Sequence, residues 1–472
     1  MSQDSGRDPI AFVDQRLGAA ATTRKALRYV FPDHWSFQLG EIALYSFVVL
    51  LATGVYLSLF FESSLSRTVY DGGYAPLAGT EVSRAYASAV RLSFDVPAGL
   101  LIRQTHHWAA LVFVVAIVMH LMRIFFTGAF RKPRELNWMI GLTMLGLALV
   151  EGFAGYSLPD DLLSGMGLAI AQAVAMSIPL IGGDVTYALW GGEFPGSPEF
   201  HSRLFITHVL LLPGALAVLI ALHLALVVRQ RHTQFPGPGR TERNDVGSPM
   251  WPGYALRSLS LLAAVCAVLF LLGGLVQINP IWQWGPYEIW EGTNGAQPDW
   301  YLGWLIGALR LMPNWEPHVA GYTLVPNPFW GGALFPAGLF GLLYAWPLIE
   351  QRLITRDTSR HELLDRPRDN PVRTAAGVAI LTLVVLVFGF GSSDRALVTA
   401  GFAYSLQLTV TRVAVFVLPP VAFLVALRVC RELRDRDAHP LREWDGGYVR
   451  RRPDGGFEVV PEPPRSSAPP PR

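Results

Sequence analysis

The chain has 472 residues, 51% of them hydrophobic and 16% charged, with a formal net charge of +2. Apolar runs this long exceed what one soluble core would need, so the composition excludes a single globular domain and points to a polytopic membrane protein. The net charge says little about partners other than the lipid membrane, and no nucleic-acid interface is expected.

The opening stretch, MSQDSGRDPI, lacks the basic-then-apolar layout of a cleavable signal, so the first span is expected to serve for insertion. Segments apolar enough to cross a hydrocarbon layer of roughly 30 Å lie near 40–61, 101–126, 138–157, 203–228, 255–277, 333–350, 374–391 and 400–429, spans A to H. Arginine-rich stretches follow B, D, F and H: "RKPRE", "RQRHTQFPGPGRTER", "QRLITRDTSRHELLDRPRDNPVR" and "RELRDRDAHPLRE". The long C–D and E–F connections carry acids instead. By the positive-inside rule both termini are cytoplasmic, although Arg67, Arg84 and Arg91 in the A–B loop vote the other way.

No internal repeat is visible. The expected organisation is a cytoplasmic segment (1–39), a four-span half (40–232), a cytoplasmic linker (233–254), a second four-span half (255–430) and a Pro-rich tail (431–472) expected to be disordered. The A–B, C–D and E–F connections are long enough for short surface helices and for function. Cys266 and Cys430 are too few and too far apart for a disulfide framework. No C-x-x-C-H offers covalent haem attachment, so any haem is held non-covalently.

Polar residues inside the spans carry the chemistry. His106 and His120 in span B are fourteen apart; at about 100° and 1.5 Å per residue they share a face and stand about 21 Å apart along the axis. Span D repeats the pattern with His208 and His223, fifteen apart. B and D run in the same direction, so His106 pairs with His208 outside and His120 with His223 inside. Paired imidazoles from facing helices can fill both axial positions of a haem iron while the porphyrin packs on apolar side chains. Haem propionates need cations, and Arg103 and Arg123 lie one turn from His106 and His120. A lone membrane histidine is ordinarily a packing residue or interfacial anchor. Four at paired spacing with flanking arginines favour two b-type haems, and His107 and His201 are left as spares. Gly40 and Gly54 in span A, and Gly141 and Gly155 in span C, are also fourteen apart, which would let flat rings approach the backbone. The expected fold is therefore an all-α integral membrane protein of eight helices whose first four form a dihaem bundle.

The region from about 31 to 430 resembles cytochrome b of the quinol:cytochrome c oxidoreductase (cytochrome bc) complex. "GYSLPDD" (155–161) is similar to that family's motif ending span C, "SIPLIGGDVTYALWGG" (177–192) to its C–D loop signature, and "PDWY" (298–301) to its E–F motif P-E-W-Y. "FPDHWSFQLGEIALYSF", "HTQFPGPGRTE" and the Asp variant resemble the actinobacterial branch, which uses menaquinol and associates with a cytochrome aa3 oxidase; the span D spacing of fifteen is similar to that of the branch related to chloroplast-type cytochrome b6 and the Gram-positive enzymes.

The resemblance implies quinol oxidation near the outer face. One electron passes to a Rieske-type iron–sulfur subunit and on to a cytochrome c subunit, the other through the two haems to quinone near the cytoplasm, in a plasma-membrane complex expected to be dimeric. Asp299 then takes the place of the family's glutamate as proton acceptor and Tyr156 that of its span C tyrosine. The alternative for Asp299 is an exposed loop acid. Glu151, one turn before Gly155, is a candidate proton exit or a polar packing residue. For the inner quinone site the residues named are Trp35 and Ser36, beside His34, with Arg229 and His232; relatives place a histidine five or six residues beyond the second span D ligand, where this chain has Val228 and Arg229. The rivals are a dihaem anchor of a dehydrogenase or nitrate reductase, which has fewer spans, and a transporter, which predicts broken helices and repeat symmetry. Spans F to H offer no chemistry.

Overall fold

All eight apolar stretches are helical in the computed structural model, which describes residues 14, 16, 18–292, 299–438, 447–453 and 457–461. The spans run Trp35–Ser58 (A), Gly99–Thr127 (B), Glu135–Tyr156 (C), Phe200–Gln230 (D), Met250–Leu275 (E), Trp330–Ile354 (F), Pro371–Ser393 (G) and Tyr404–Asp437 (H), each long and apolar enough to cross a membrane. A helix satisfies its backbone hydrogen bonds internally, which hydrocarbon requires of a spanning segment. Local chemistry sets the ends: Gly128 takes a left-handed conformation (φ 65°) at the end of the span B helix. Pro371 opens span G behind Asn370, whose side chain accepts from Arg373 N.

Spans A to D close around Ala43, Phe47, Phe113, Ala116, Ala148 and Leu216. Span E packs on A and B through Val49, Ala109, Val265 and Leu269. Gly273 permits that approach, since a Cβ there would lie 2.2 Å from Thr105 Oγ1. Prolines reshape the spans. Five-residue π turns occupy Thr207–Leu211 before Pro213 and Trp330–Leu334 before Pro336. A proline supplies no N–H, so the hydrogen-bond ladder slips by one residue, as where Leu212 N donates to Thr207 O.

The connections on the face expected to be external hold short helices: Arg84–Phe94 between A and B, Leu162–Met176 and Gly182–Trp190 between C and D, and Ile281–Trp284 and Gly303–Leu311 between E and F. Asp161, fully buried, caps the first C–D helix by accepting from Leu163 N. The A–B and E–F loops share a core of Tyr70, Val82, Tyr86, Val90 and Ile281.

The opposite face is tied by charge. Arg373, wholly buried, donates to Glu350 Oε1 (2.8 Å) and Asp365 Oδ2 (2.7 Å), and Arg131 reaches Asp365 Oδ1 at 3.0 Å. These pairs fasten the F–G loop to the B–C turn. Gly128 lies in that turn, where a Cβ would sit 2.5 Å from Arg373 Nη1. The 233–254 stretch is anchored as well: Gly247–Pro249 pairs antiparallel with Val30–Pro32.

The helical expectation needs one qualification, because among the described residues four short antiparallel pairs interrupt it: the one just named, Arg67–Val69 with Glu81–Ser83, His318–Val319 with Tyr322–Thr323, and Gly447–Arg451 with Phe457–Pro461. Within 431–472, where disorder is expected, the final helix continues to Ala438 and the last of these pairs is described. The β-branched Val449, Val459 and Val460 favour an extended pair where composition suggested only a Pro-rich tail. Residues 439–446, 454–456 and 462–472, most of the N-terminal 1–17 and Pro298 of the "PDWY" motif lie outside the described residues.

Candidate functional site

Spans B and D bring the four histidines together in the pairs expected from their spacing. The His106 and His208 ring centroids are 6.2 Å apart and the His120 and His223 centroids 6.5 Å, with interplanar angles of 79° and 73°. Between the pairs lies the apolar layer of Phe47, Phe113, Ala116 and Leu216. His208 sits in the π turn Thr207–Leu211. That wider turn absorbs one residue, so fifteen positions in span D match fourteen in span B.

The glycines fall against these imidazoles one for one. A Cβ on Gly54 would lie 3.3 Å from His106 Cε1, on Gly40 3.2 Å from His120 Cε1, on Gly155 2.4 Å from His208 Cε1 and on Gly141 3.9 Å from His223 Cε1. Spans A and C thus leave bare backbone beside each pair.

This donor set fits haem. Histidine–metal bonds run about 2 Å, so two nitrogens on opposite sides of one ion place their ring centroids at about the separations seen. Among the described residues no three His, Cys, Asp or Glu side chains gather to hold a metal ion. Two imidazoles alone are too few for a structural or catalytic ion, and such a pair is a donor set that would suit a haem. Arg123, one turn from His120, packs over the Phe37 ring at 4.4 Å, and its Nε and Nη2 are buried without partners. An anionic group is what such orphaned donors need. Arg103 is largely spent on protein: Nε donates to Ser93 Oγ and both Nη atoms to Asn279 O, each at 3.1 Å, above the Trp282 ring. Two of its five N–H donors remain for an anion.

In the outer pair each Nδ1 has a polar neighbour, whereas the Nδ1 atoms of His120 and His223 are buried without a hydrogen-bond partner. Thr53 Oγ1 lies 2.9 Å from His106 Nδ1 and 2.7 Å from Val49 O. A protonated Nδ1 donating to Thr53, whose hydroxyl donates to Val49 O, leaves Nε2 free to ligate. Glu151 Oε1 lies 2.9 Å from His208 Nδ1, so the acid singled out in span C stands beside an imidazole.

A second cluster forms where the E–F loop folds back on the bundle. Asp299 Oδ1 lies 2.9 Å from His107 Nε2, and Asp299 Oδ2 accepts from Tyr301 OH at 3.2 Å. Tyr301 is buried against Gly152 of span C, where a Cβ would come within 2.8 Å of its hydroxyl. Burial, and next the charge of Asp299, push the Tyr301 hydroxyl well above its ordinary pKa, so it stays a donor; Tyr156 and Glu151 act on it in the same direction. Asp299 is thus a held carboxylate and not a free loop acid. His107, a spare on spacing alone, is part of this cluster, and so is Tyr301. Its signal in the sequence is its place beside His106, one residue round the helix toward the loops. His201, the other spare, is a buried tie: Nδ1 meets Ser63 Oγ and Nε2 meets Leu158 O, both at 2.9 Å.

The residues named for the inner site divide. Ser36 is buried with its hydroxyl 2.8 Å from His34 Nδ1. His232 packs on Phe31 (4.7 Å) and Tyr29 (5.8 Å), its Nε2 buried without a partner. Trp35 is 71% exposed and Arg229 is exposed too, and neither is drawn into the bundle.

The family described as "Cytochrome b(N-terminal)/b6/petB" matches residues 111–286. Proteins named cytochrome bc1 complex cytochrome b subunit are 48% identical in Corynebacterium diphtheriae over 96% of this chain and 83% of that one. In Mycobacterium tuberculosis the figures are 48%, 96% and 82%, and in Streptomyces coelicolor 45%, 96% and 83%. A solved "Hyperthermophilic respiratory Complex III" chain shares the fold, with TM-score 0.67 at 20% identity over 90% of this chain and 99% of that one. The chain therefore belongs to the cytochrome b family, whose members are b-haem, multi-pass membrane subunits of bc1-type respiratory complex III, the quinol–cytochrome c oxidoreductase.

Proposed function

We propose that this chain oxidises quinol, specifically menaquinol, at the Asp299 cluster on its outer face and reduces quinone near its cytoplasmic face. The observation that carries the reading is the double pairing of imidazoles between spans B and D, with one glycine of A or C against each ring. Two non-covalent b-type haems, at His106 with His208 and at His120 with His223, would supply one-electron transfer across the bilayer. One electron of each quinol leaves for a Rieske-type iron–sulfur subunit and then a cytochrome c subunit, and the second enters this chain, which contributes to the proton motive force.

The chain's own residues then have distinct tasks. Asp299 takes a proton from a quinol hydroxyl, with His107 fixing one carboxylate oxygen and Tyr301 the other. Asp is one methylene shorter than the family's Glu, and the two-sided hold compensates by fixing where it points. Tyr156, at the end of span C, borders the same cluster. Thr53 and Glu151 orient His106 and His208 from outside. Arg123, with the two free donors of Arg103, would neutralise propionates.

Both termini are proposed to be cytoplasmic in the plasma membrane, with 40–232 as the dihaem half and 255–430 as the half that brings the quinol loop. A dimer of complexes and association with a cytochrome aa3 oxidase rest on the resemblance to the actinobacterial branch. A dihaem anchor is disfavoured because the E–F loop of the second half reaches back to His107.

The test is a reduced-minus-oxidised spectrum of the purified complex with haem counted per chain. Two b-type haems reducible by menaquinol are expected; a chain without b-type absorbance rejects the reading and would favour a transporter.

A further inference from the structure

We propose that Glu41 is the proton donor to quinone at the inner site, an assignment that rests on the quinone-reducing reading above. Glu41 stands in the first turn of the span A helix, next to Gly40, whose missing side chain makes room for His120. Three hydroxyls from two spans converge on its carboxylate. Tyr254 OH donates to Oε1 at 2.9 Å, Ser258 Oγ to Oε2 at 2.5 Å, and Tyr45 OH to Oε2 at 3.4 Å, while Tyr45 and Ser258 also bond each other.

A structural clamp between A and E would not need this acid. Hydroxyls bonded to one another join two helices without a carboxylate. The wall beside it is continuous: Tyr254 stacks on Phe31 at 3.8 Å, and Phe31 meets His232 at 4.7 Å. Solvent is close, because Arg257, one residue before Ser258, pairs with exposed Asp33, which also accepts from Ser248 Oγ.

The histidines at this end are poor donors. Burial, with the charges of Arg134 and Arg123, pulls His232 down to about 4, so it is neutral near pH 7. His34 is lowered by burial and by Arg123 and Arg240, and its Nδ1 is engaged with Ser36.

Reduction of one quinone takes two electrons, supplied by the proposed haem chain, and two protons, one on each carbonyl oxygen. At the carbonyl oxygen that faces Glu41, the Glu41 O–H bond breaks as a quinone O–H bond forms, and the carboxylate then takes a proton from cytoplasmic water through the hydroxyls around it. The opposite carbonyl oxygen takes the second proton from cytoplasmic water, which completes the quinol.

The test uses the whole complex carrying Asp299→Asn to silence the outer site, with haems reduced photochemically and then mixed with a water-soluble naphthoquinone. Stopped-flow absorbance should show haem re-oxidation slowed on the order of a hundredfold in Glu41→Gln and largely kept in Glu41→Asp, with haem content unchanged in both. The infrared difference spectrum should contain a protonated-carboxyl band that Glu41→Gln abolishes. Unchanged re-oxidation and an unchanged carboxyl band in Glu41→Gln overturn the assignment. If that variant loses haem, Tyr254→Phe removes one donor and must shift the band; a band that stays in place overturns the assignment equally. Failure of naphthoquinone to re-oxidise the complex with Glu41 intact overturns the quinone-reducing reading itself.

Discussion

His107 Nε2 and Asp299 Oδ1 lie 2.9 Å apart although 192 positions separate them in the chain. Neighbouring histidines of span B therefore serve different sites, His106 facing His208 and His107 facing the E–F loop. The pair fixes the carboxylate that the proposed chemistry uses.

Asp299→Asn and His107→Ala should each slow quinol oxidation, the first by on the order of a hundredfold and the second by about tenfold. Both haem signals should remain. Steady-state turnover with a menaquinol analogue measures this, and wild-type turnover in Asp299→Asn removes the aspartate from the proton path.

His208→Ala should halve the haem per chain, since the His120 and His223 pair lies in a separate layer. Pyridine haemochromogen analysis counts it. Retention of both haems contradicts the pairing.

Gly155 and Gly141 should respond unequally to alanine. A Cβ would stand 2.4 Å from His208 Cε1 at the first and 3.9 Å from His223 Cε1 at the second. Overpacking of this kind costs about 1–3 kcal/mol, so Gly155→Ala should displace the outer haem or lower the melting temperature while Gly141→Ala is nearly silent. Equal effects would show that the rings do not pack against these backbones.

Glu151→Gln should raise the midpoint potential of the outer haem only. A carboxylate beside His208 Nδ1 makes the imidazole more basic and favours the oxidised metal. A shift on the order of 50 mV, close to tenfold in a one-electron equilibrium, is expected in a redox titration; no shift would make Glu151 a packing residue.

Asp160 should impose a pH dependence on stability. Burial, the largest cause, and the nearby charge of Asp161 raise its pKa to about 7. A carboxyl raised on folding contributes stability that is present below about pH 4 and lost as pH rises through its folded value. Thermal melts of the complex should therefore fall less steeply between pH 4 and 7 in Asp160→Asn, and identical slopes would refute the assignment.

Much of this was legible in one dimension. Apolar length, arginine placement and the fourteen-residue recurrence of histidine and glycine all follow from the rise and rotation of a single helix, which fix the relative direction of residues within a span. Eight spans, two imidazole pairs and the glycines beside them could be read that way. The fifteen-residue spacing in span D needed the π turn before Pro213, which follows from the missing N–H once the helix is seen.

The remainder is a property of packing. His107 with Asp299, Glu151 with His208, Glu41 with Tyr254 and Arg373 with Glu350 join segments whose relative placement no local periodicity encodes. The sequence by itself determined how many helices there are, how they are written and where the paired histidines recur. Tertiary structure alone decided which acid meets which histidine, because that depends on how helices rotate and loops close, a balance of many distant contacts invisible in any one stretch.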